Sequence, residues 1–317
     1  MTQRAIITET LDAGCADWLA QHTDLVWCAH DEHARLDELL PEAEALIVRT
    51  YTQVTGALLD KAPRLKVVAR AGVGLDNIDL PACRQRNVQV VYTPDANTQA
   101  VVEYVFALIL DTVRPRTDMP DAVSDKRFHE LRKTQVGKQL TDLTLGILGF
   151  GRIGTRIAKA ARGLSIPNVL VNDVLPEAEL RSKVDFDVNL VDKATLYRES
   201  DVLTVHVDGR ADNRHLIDAA ALEQLKPNCL FINAARGMLI DHDALAAWAG
   251  SHPDARVILD VHDPEPPATD LPLYGQPNVR LLPHLASRTD TALKNMSWVV
   301  RDVVAVLNGE APEYPAP

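Results

Sequence analysis

The stretch Leu143–Arg162, "LTLGILGFGRIGTRIAKAAR", decides how this chain is read. An apolar run leads into Gly149-Phe150-Gly151-Arg152-Ile153-Gly154, and a helical pattern follows at once. Strand, glycine turn and helix in that order give the G-x-G-x-x-G pattern a physical meaning: a tight turn, room for backbone to approach pyrophosphate, and a helix N-terminus that favours anions. Gly149, Gly151, Arg152, Ile153 and Gly154 are therefore expected to face a dinucleotide. An ordinary glycine turn is the competing reading, and Asp173 weighs against it. It closes the next strand pattern, "NVLVND", about twenty residues on, where a carboxylate can accept from both ribose hydroxyls of NAD and repel the 2′-phosphate of NADP. NAD is the expected cofactor; Arg181 is the nearby cation that could instead reach a phosphate.

The motif lies near the middle of 317 residues, and the same alternation extends on both sides. Before it, "RAIIT", "EALIVR", "LKVVAR" and "VQVVYT" read as strands, separated by helical spacings such as "PEAEALI" and "VTGALLDKAP". After "TLGILGF" come "NVLVND", "DVLTVHV", "CLFINAA", "RVILDV" and "NVRLL". Two βαβ sets predict an α/β chain of two Rossmann-like or flavodoxin-like domains with parallel sheets and a cleft between them. The substrate-recognising part is expected first, with the terminal helix crossing back to it. Asn97–Arg114 reads as a long helix, and "RPRTDMPDAVSDKRFHELRKT" after it holds no strand pattern. "TALKNMSWVVRDVVAVLNG" reads as one terminal helix stopped by Gly309, and "EAPEYPAP" as a poorly ordered tail.

Composition excludes several classes. A formal net charge of −11 argues against a nucleic-acid partner, because neutralising phosphates needs clustered Lys and Arg. The longest apolar run, "AVVEYVFALIL", is too short to span a bilayer and carries Glu103, and no signal-peptide pattern opens the chain. Cys15, Cys28, Cys83 and Cys229 are scattered without a C-x-x-C pair, which suits free thiols in a reducing cytoplasm. "HDEH" (His30–His33) lacks the i, i+4 spacing of a helical ligand pair and reads as a solvated loop, so no metal is expected.

In an open parallel sheet the chemistry belongs at the carboxyl ends of the strands. Arg236 follows "LFINAARG", Glu265 sits in "LDVHDPEPP", and His284 stands in "LPHLASRT". Reduction of a ketone by hydride needs a polarised carbonyl and a proton for its oxygen. Arg236 can bind a carboxylate in a fork and polarise the neighbouring carbonyl. His284 can give and take a proton near neutral pH, and Glu265 can orient its ring and favour the imidazolium. Each alone could be a surface Arg, a loop Glu or a structural His; their placement after successive strands makes a catalytic set. His206, also at a strand end, and Ala235, beside Arg236, are assigned to the cofactor pocket, and Asp260 to the nicotinamide amide or, alternatively, to a cap.

These motifs, with "ALIVRTYTQVTGALLDKAPRLKVVARAGVGLDNIDLPAC" and "TPDANTQAVVEYV", resemble those of the D-isomer-specific 2-hydroxyacid dehydrogenase family, most closely its 3-phosphoglycerate dehydrogenase branch. The resemblance runs over nearly the whole chain. It implies Arg236, Glu265 and His284 as the catalytic set, and a homodimer built around the cofactor domain. It also implies a discontinuous substrate-binding domain, residues 1–98 with 287–317, and a NAD-binding Rossmann domain, residues 99–286. The backbone of Gly72, Val73 and Gly74 would hold the carboxylate of a 2-hydroxy or 2-keto acid, and Arg49 and Arg70 a second anion such as phosphate. Asp208 stands where the family usually has proline, which predicts extra negative charge near the nicotinamide, and no regulatory domain follows Pro317, so serine feedback is not expected. Alternatives are a hydroxypyruvate/glyoxylate reductase, which would not need Arg49 and Arg70, and a non-catalytic NAD-sensing protein like the family's corepressors.

Overall fold

The computed structural model describes residues 3–119 and 121–317. The chain divides into two compact units, one of residues up to Asn97 together with Ser287–Pro317, the other of Thr98–Ala286. In the first, β1 (Arg4–Ile7), β2 (Asp24–Trp27), β3 (Ala45–Val48), β4 (Val67–Arg70) and β5 (Gln89–Tyr92) form a sheet in the order β2-β1-β3-β4-β5. All its ladders are parallel, and the order is that of flavodoxin-type folds. Alternation of side chains divides each strand between two cores. Ile6, Leu46 and Val68 pack with Leu36, Leu59 and Cys83 on one face; Ile7, Ile47 and Ala69 pack with Leu19, Val300 and Val303 on the other. Each fully buried Leu, Ile or Val contributes roughly 1.5–3 kcal/mol.

The second unit holds β6 (Thr144–Leu148), β7 (Asn168–Asn172), β8 (Asn189–Leu190), β9 (Val202–Val205), β10 (Leu230–Asn233), β11 (Arg256–Leu259) and β12 (Val279–Leu281). Their order is β12-β11-β10-β9-β6-β7-β8, again parallel throughout. The order reverses between β6 and β9, which is where a doubly wound sheet opens its ligand crevice. Every residue of β9 and β10 is buried, as strands covered by helices on both faces require.

Several expectations are corrected. β2 was not foreseen, since "DLVW" is a short edge strand with Asp24 and Trp27 exposed and no continuous apolar run; the two residues of β8 were missed for the same reason of length. "PEAEALI" is not an α-helix: it starts in the 3-10 turn Leu40–Glu42 and ends in strand β3, and the α-helix before it is His33–Leu39. The terminal helix breaks at Trp298–Val299 into Asp290–Ser297 and Val300–Leu307. The polar stretch contains a helix, Asp125–Thr134, capped by Ser124. The tail is held rather than loose: the Asp302 carboxylate accepts from the amides of Glu313 (2.8 Å) and Tyr314 (3.1 Å), and Pro315 bridges Val91 antiparallel at the β5 edge.

Candidate active site

The glycine turn follows β6 directly, and each glycine has a separate reason. Gly149 has φ +96°, and a Cβ there would press on the His206 carbonyl at 2.5 Å; a Cβ at Gly154 would strike the Gly149 carbonyl. A Cβ at Gly151 would meet nothing within 4 Å, so this position opens on free space. Gly151 is also the N-cap of helix Arg152–Gly163 and supplies no side chain to its first amides. Those amides, including the ones from Arg152 and Ile153, are left to an external acceptor, and the dipole adds attraction for an anion. The residues present therefore fit a dinucleotide pyrophosphate.

Asp173 lies just past β7 and folds back on the turn: one carboxylate oxygen accepts from the Phe150 amide at 2.6 Å, the other from the Leu175 amide at 3.0 Å. It lines a hollow of about 210 Å³ with Val171, Leu175, Glu177, Leu190 and Asp192. Arg181 is turned to Glu177 (2.8 Å) and to the Val188 carbonyl (3.3 Å). The His206 ring bonds Thr204 at 2.8 Å, and burial drives it down to about 3, so it is neutral; what it presents to the glycine turn is backbone. Asp208 is covered by its own cation: Arg210 donates to it through Nε at 2.7 Å and through its amide at 3.2 Å. The extra negative charge foreseen there is thus compensated.

Arg236, Glu265 and His284 follow β10, β11 and β12, three neighbouring strands of the sheet. Nδ1 of His284 lies 2.9 Å from Oε2 of Glu265. Burial alone would raise the Glu265 carboxyl; the hydrogen bond and charge of His284, with the His262 amide at 2.9 Å, hold it below its ordinary range. His284 has left-handed backbone, φ +56°. Asp260, fully buried, enforces it: its carbonyl accepts from the His284 amide (2.8 Å), and its carboxylate from the amides of Leu285 and Ala286 (2.9 Å each) and from the Tyr104 hydroxyl (3.0 Å). Both Asp260 oxygens are thus engaged in holding the histidine loop. The Arg236 turn is held by buried Asn233, whose amide donates to the Arg236 carbonyl at 2.8 Å and whose oxygen accepts from the Ala235 amide at 3.0 Å. Nη1 of Arg236 donates to the Ala235 carbonyl at 2.7 Å. Tyr104, Asn233 and His262 were not singled out from sequence; only their contacts mark them.

In the other unit, Arg70 ends β4 beside the end of β3, which Arg49 follows. Arg49 donates to the Thr10 carbonyl at 3.1 Å and Arg70 to the Ala71 carbonyl at 2.9 Å. Burial lowers the Arg49 pKa, and so does the charge of Arg288. Gly72 carries the Arg70 guanidinium where a Cβ would stand. The amides of Val73 and Gly74 donate to no protein acceptor among the described residues.

A glycine turn, a carboxylate folded back on it and a carboxylate-paired histidine stand together on one doubly wound, nucleotide-binding type of sheet. Residues 106–286, more than half of the chain, match the family described as D-isomer specific 2-hydroxyacid dehydrogenase, NAD binding domain, and the chain belongs to that family. It is 36% identical over 271 residues to a D-3-phosphoglycerate dehydrogenase of Archaeoglobus fulgidus, covering 85% of this chain and 50% of that protein. A hydroxypyruvate reductase of Thermotoga maritima is 31% identical over 92% of this chain and 94% of its own length. The chain spans about half the length of the curated phosphoglycerate dehydrogenases it matches. Among solved structures, a D-lactate dehydrogenase of Aquifex aeolicus with NAD and lactic acid aligns with a TM-score of 0.81 at 28% identity, covering 97% of this chain and 96% of that one. An NADPH-dependent glyoxylate/hydroxypyruvate reductase of Sinorhizobium meliloti aligns at 0.82 and 25% identity over 100% and 97%.

Proposed function

We propose that the protein interconverts a D-2-hydroxy acid and its 2-keto acid with NAD, and that the acid carries a second anionic group, as 3-phosphoglycerate does. The observation that carries the chemistry is the 2.9 Å pairing of His284 with Glu265 at the end of the nucleotide-binding sheet. The glycine turn would hold NADH, which would supply the hydride when bound. Nε2 of His284 gives its proton to the keto oxygen and recovers one in the reverse direction, while Glu265 stabilises the imidazolium and fixes the ring through Nδ1. Arg236 holds the substrate carboxylate and polarises the carbonyl beside it. In the other unit, the amides of Val73 and Gly74 offer a seat of their own for an anion.

NAD is favoured over NADP because Asp173, Glu177 and Asp192 surround the hollow beside the turn, and Arg181 is committed to Glu177. Arg49 and Arg70 support the second anion. The runner-up, a hydroxypyruvate or glyoxylate reductase, is favoured by the match to the Thermotoga relative over nearly its full length. A homodimer is supported by the helix Asp125–Thr134, which buries none of its residues, and by exposed Met119, Val123, Phe128 and Val136 around it. Four buried free cysteines suit a cytoplasmic location.

Initial rates with NADH on 3-phosphohydroxypyruvate, hydroxypyruvate, glyoxylate, pyruvate, 2-oxoglutarate and sulfopyruvate test the reading. A large kcat/KM preference for the phosphorylated acid is the expected result. Preference for a small acid moves the protein to the reductase reading, and tight NADH binding without turnover of any acid moves it to the sensor class.

A further inference from the structure

His262 touches all three loops that carry Arg236, Glu265 and His284. Its amide donates to Oε1 of Glu265 at 2.9 Å, on the oxygen that His284 leaves open. Its carbonyl occupies the space where Gly237, next to Arg236, would otherwise carry a Cβ. Its ring reaches across to the third loop, with Nε2 2.8 Å from the carbonyl of Leu282, two residues before His284. A carbonyl can only accept, so Nε2 carries a proton and donates it to Leu282.

Nδ1 of the same ring is buried and has no hydrogen-bond partner among the described residues, on a side chain only 8% exposed. Keeping an unpaired nitrogen in such a place is unfavourable, and a phenyl ring would fill the space without it. The imidazole is explained by what its other nitrogen does. Two of the three ties use backbone, which any residue would provide. Only the third tie uses the ring: it reaches Leu282, before His284, whereas Asp260 holds His284, Leu285 and Ala286 from the other side.

We propose that His262 is a positioning residue for the acid/base pair: its ring, through the Leu282 carbonyl, sets the approach of His284 to Glu265. The inference rests on the dehydrogenase reading above. Loss of the tie loosens the approach of His284 to Glu265 while the glycine turn and the Arg236 turn stay in place, so turnover suffers and binding does not.

The test compares His262→Phe, His262→Gln and His262→Asn with the parent protein, using the best keto acid of the rate panel, with NADH binding followed by fluorescence and folding by thermal melts. Gln places its amide nitrogen near Nε2, whereas Asn places it near Nδ1. Phe and Asn are expected to lower kcat about tenfold or more, as misplacement of a catalytic group by a fraction of an ångström does, with KM and the NADH Kd nearly unchanged. Gln is expected to restore most of kcat. Parental kcat in the Phe variant would overturn the inference, as would Gln being no better than Asn while both bind NADH. If Phe fails to fold, the Gln and Asn pair decides alone. His284→Ala separates the two readings: turnover surviving in it would remove the dehydrogenase mechanism, whereas its loss beside a normal His262→Phe would remove only the role of His262.

Discussion

Beyond β10, β11 and β12 titratable side chains pair directly, Glu265 with His284 and Asp260 with Tyr104, besides holding main-chain groups, whereas beyond β1 and β3 Glu9 and Arg49 hydrogen-bond to the main chain. In the first region Glu265 binds His284, Asp260 grips three amides and Tyr104, and Asn233 closes the Arg236 turn. In the second, the buried carboxylate of Glu9 accepts from the amides of Arg49 (3.0 Å), Thr50 (2.8 Å), Tyr51 (3.0 Å) and Thr52 (3.3 Å), and the Arg49 guanidinium donates to a carbonyl. One plan fixes functional atoms; the other fixes the backbone from which long cationic side chains extend. Proton transfer tolerates little displacement, while recognition of an anion tolerates more, so each arrangement suits the task proposed for it.

The sharpest way to break this comparison is His284→Ala, expected to cost about 10²–10⁴ in kcat while NADH titrations stay near the parental Kd. An unchanged kcat would make the ordered region no more catalytic than the other. Arg236→Lys should lower kcat/KM about ten- to a hundredfold, since an ammonium cannot reproduce the planar fork; steady-state kinetics decide it.

The nucleotide-binding unit should also have an acid limit. His206 is neutral when folded, with a pKa of about 3 set by burial, but protonates near 6.5 when unfolded. A group depressed in this way costs stability as pH falls from 6.5 toward 3, by up to about 1.4 kcal/mol per pH unit. Urea unfolding of the parent and of His206→Gln across that range should show the slope reduced in the variant. The smallest effect is expected from Arg49→Ala: about a tenfold loss of kcat/KM for a phosphorylated acid, equal to one charge-assisted hydrogen bond, with glyoxylate unaffected. Equal losses on both substrates would show that Arg49 supports structure and not a second anion.

What could be read in the sequence is what repeats or is local. The β/α alternation, the glycine turn and the polar residue beyond each of three strands all lie within windows of a few residues. The corrections come from elsewhere. "DLVW" becomes a strand because β1 pairs with it, and the tail is ordered because Asp302 caps it and β5 offers an open edge. Tyr104 meets Asp260 across 156 positions, a contact no spacing rule announces. Asp208 looked like a liability because Arg210, two residues on, could equally have pointed away.

The left-handed backbone of His284 sets function against durability. A side chain with a Cβ held there costs roughly 1–2 kcal/mol, which asparagine or glycine would largely avoid. Random drift toward a sturdier protein would therefore favour replacing the residue proposed to handle the proton. On the mechanism proposed above, variants gaining heat resistance at this position should lose their chemistry first.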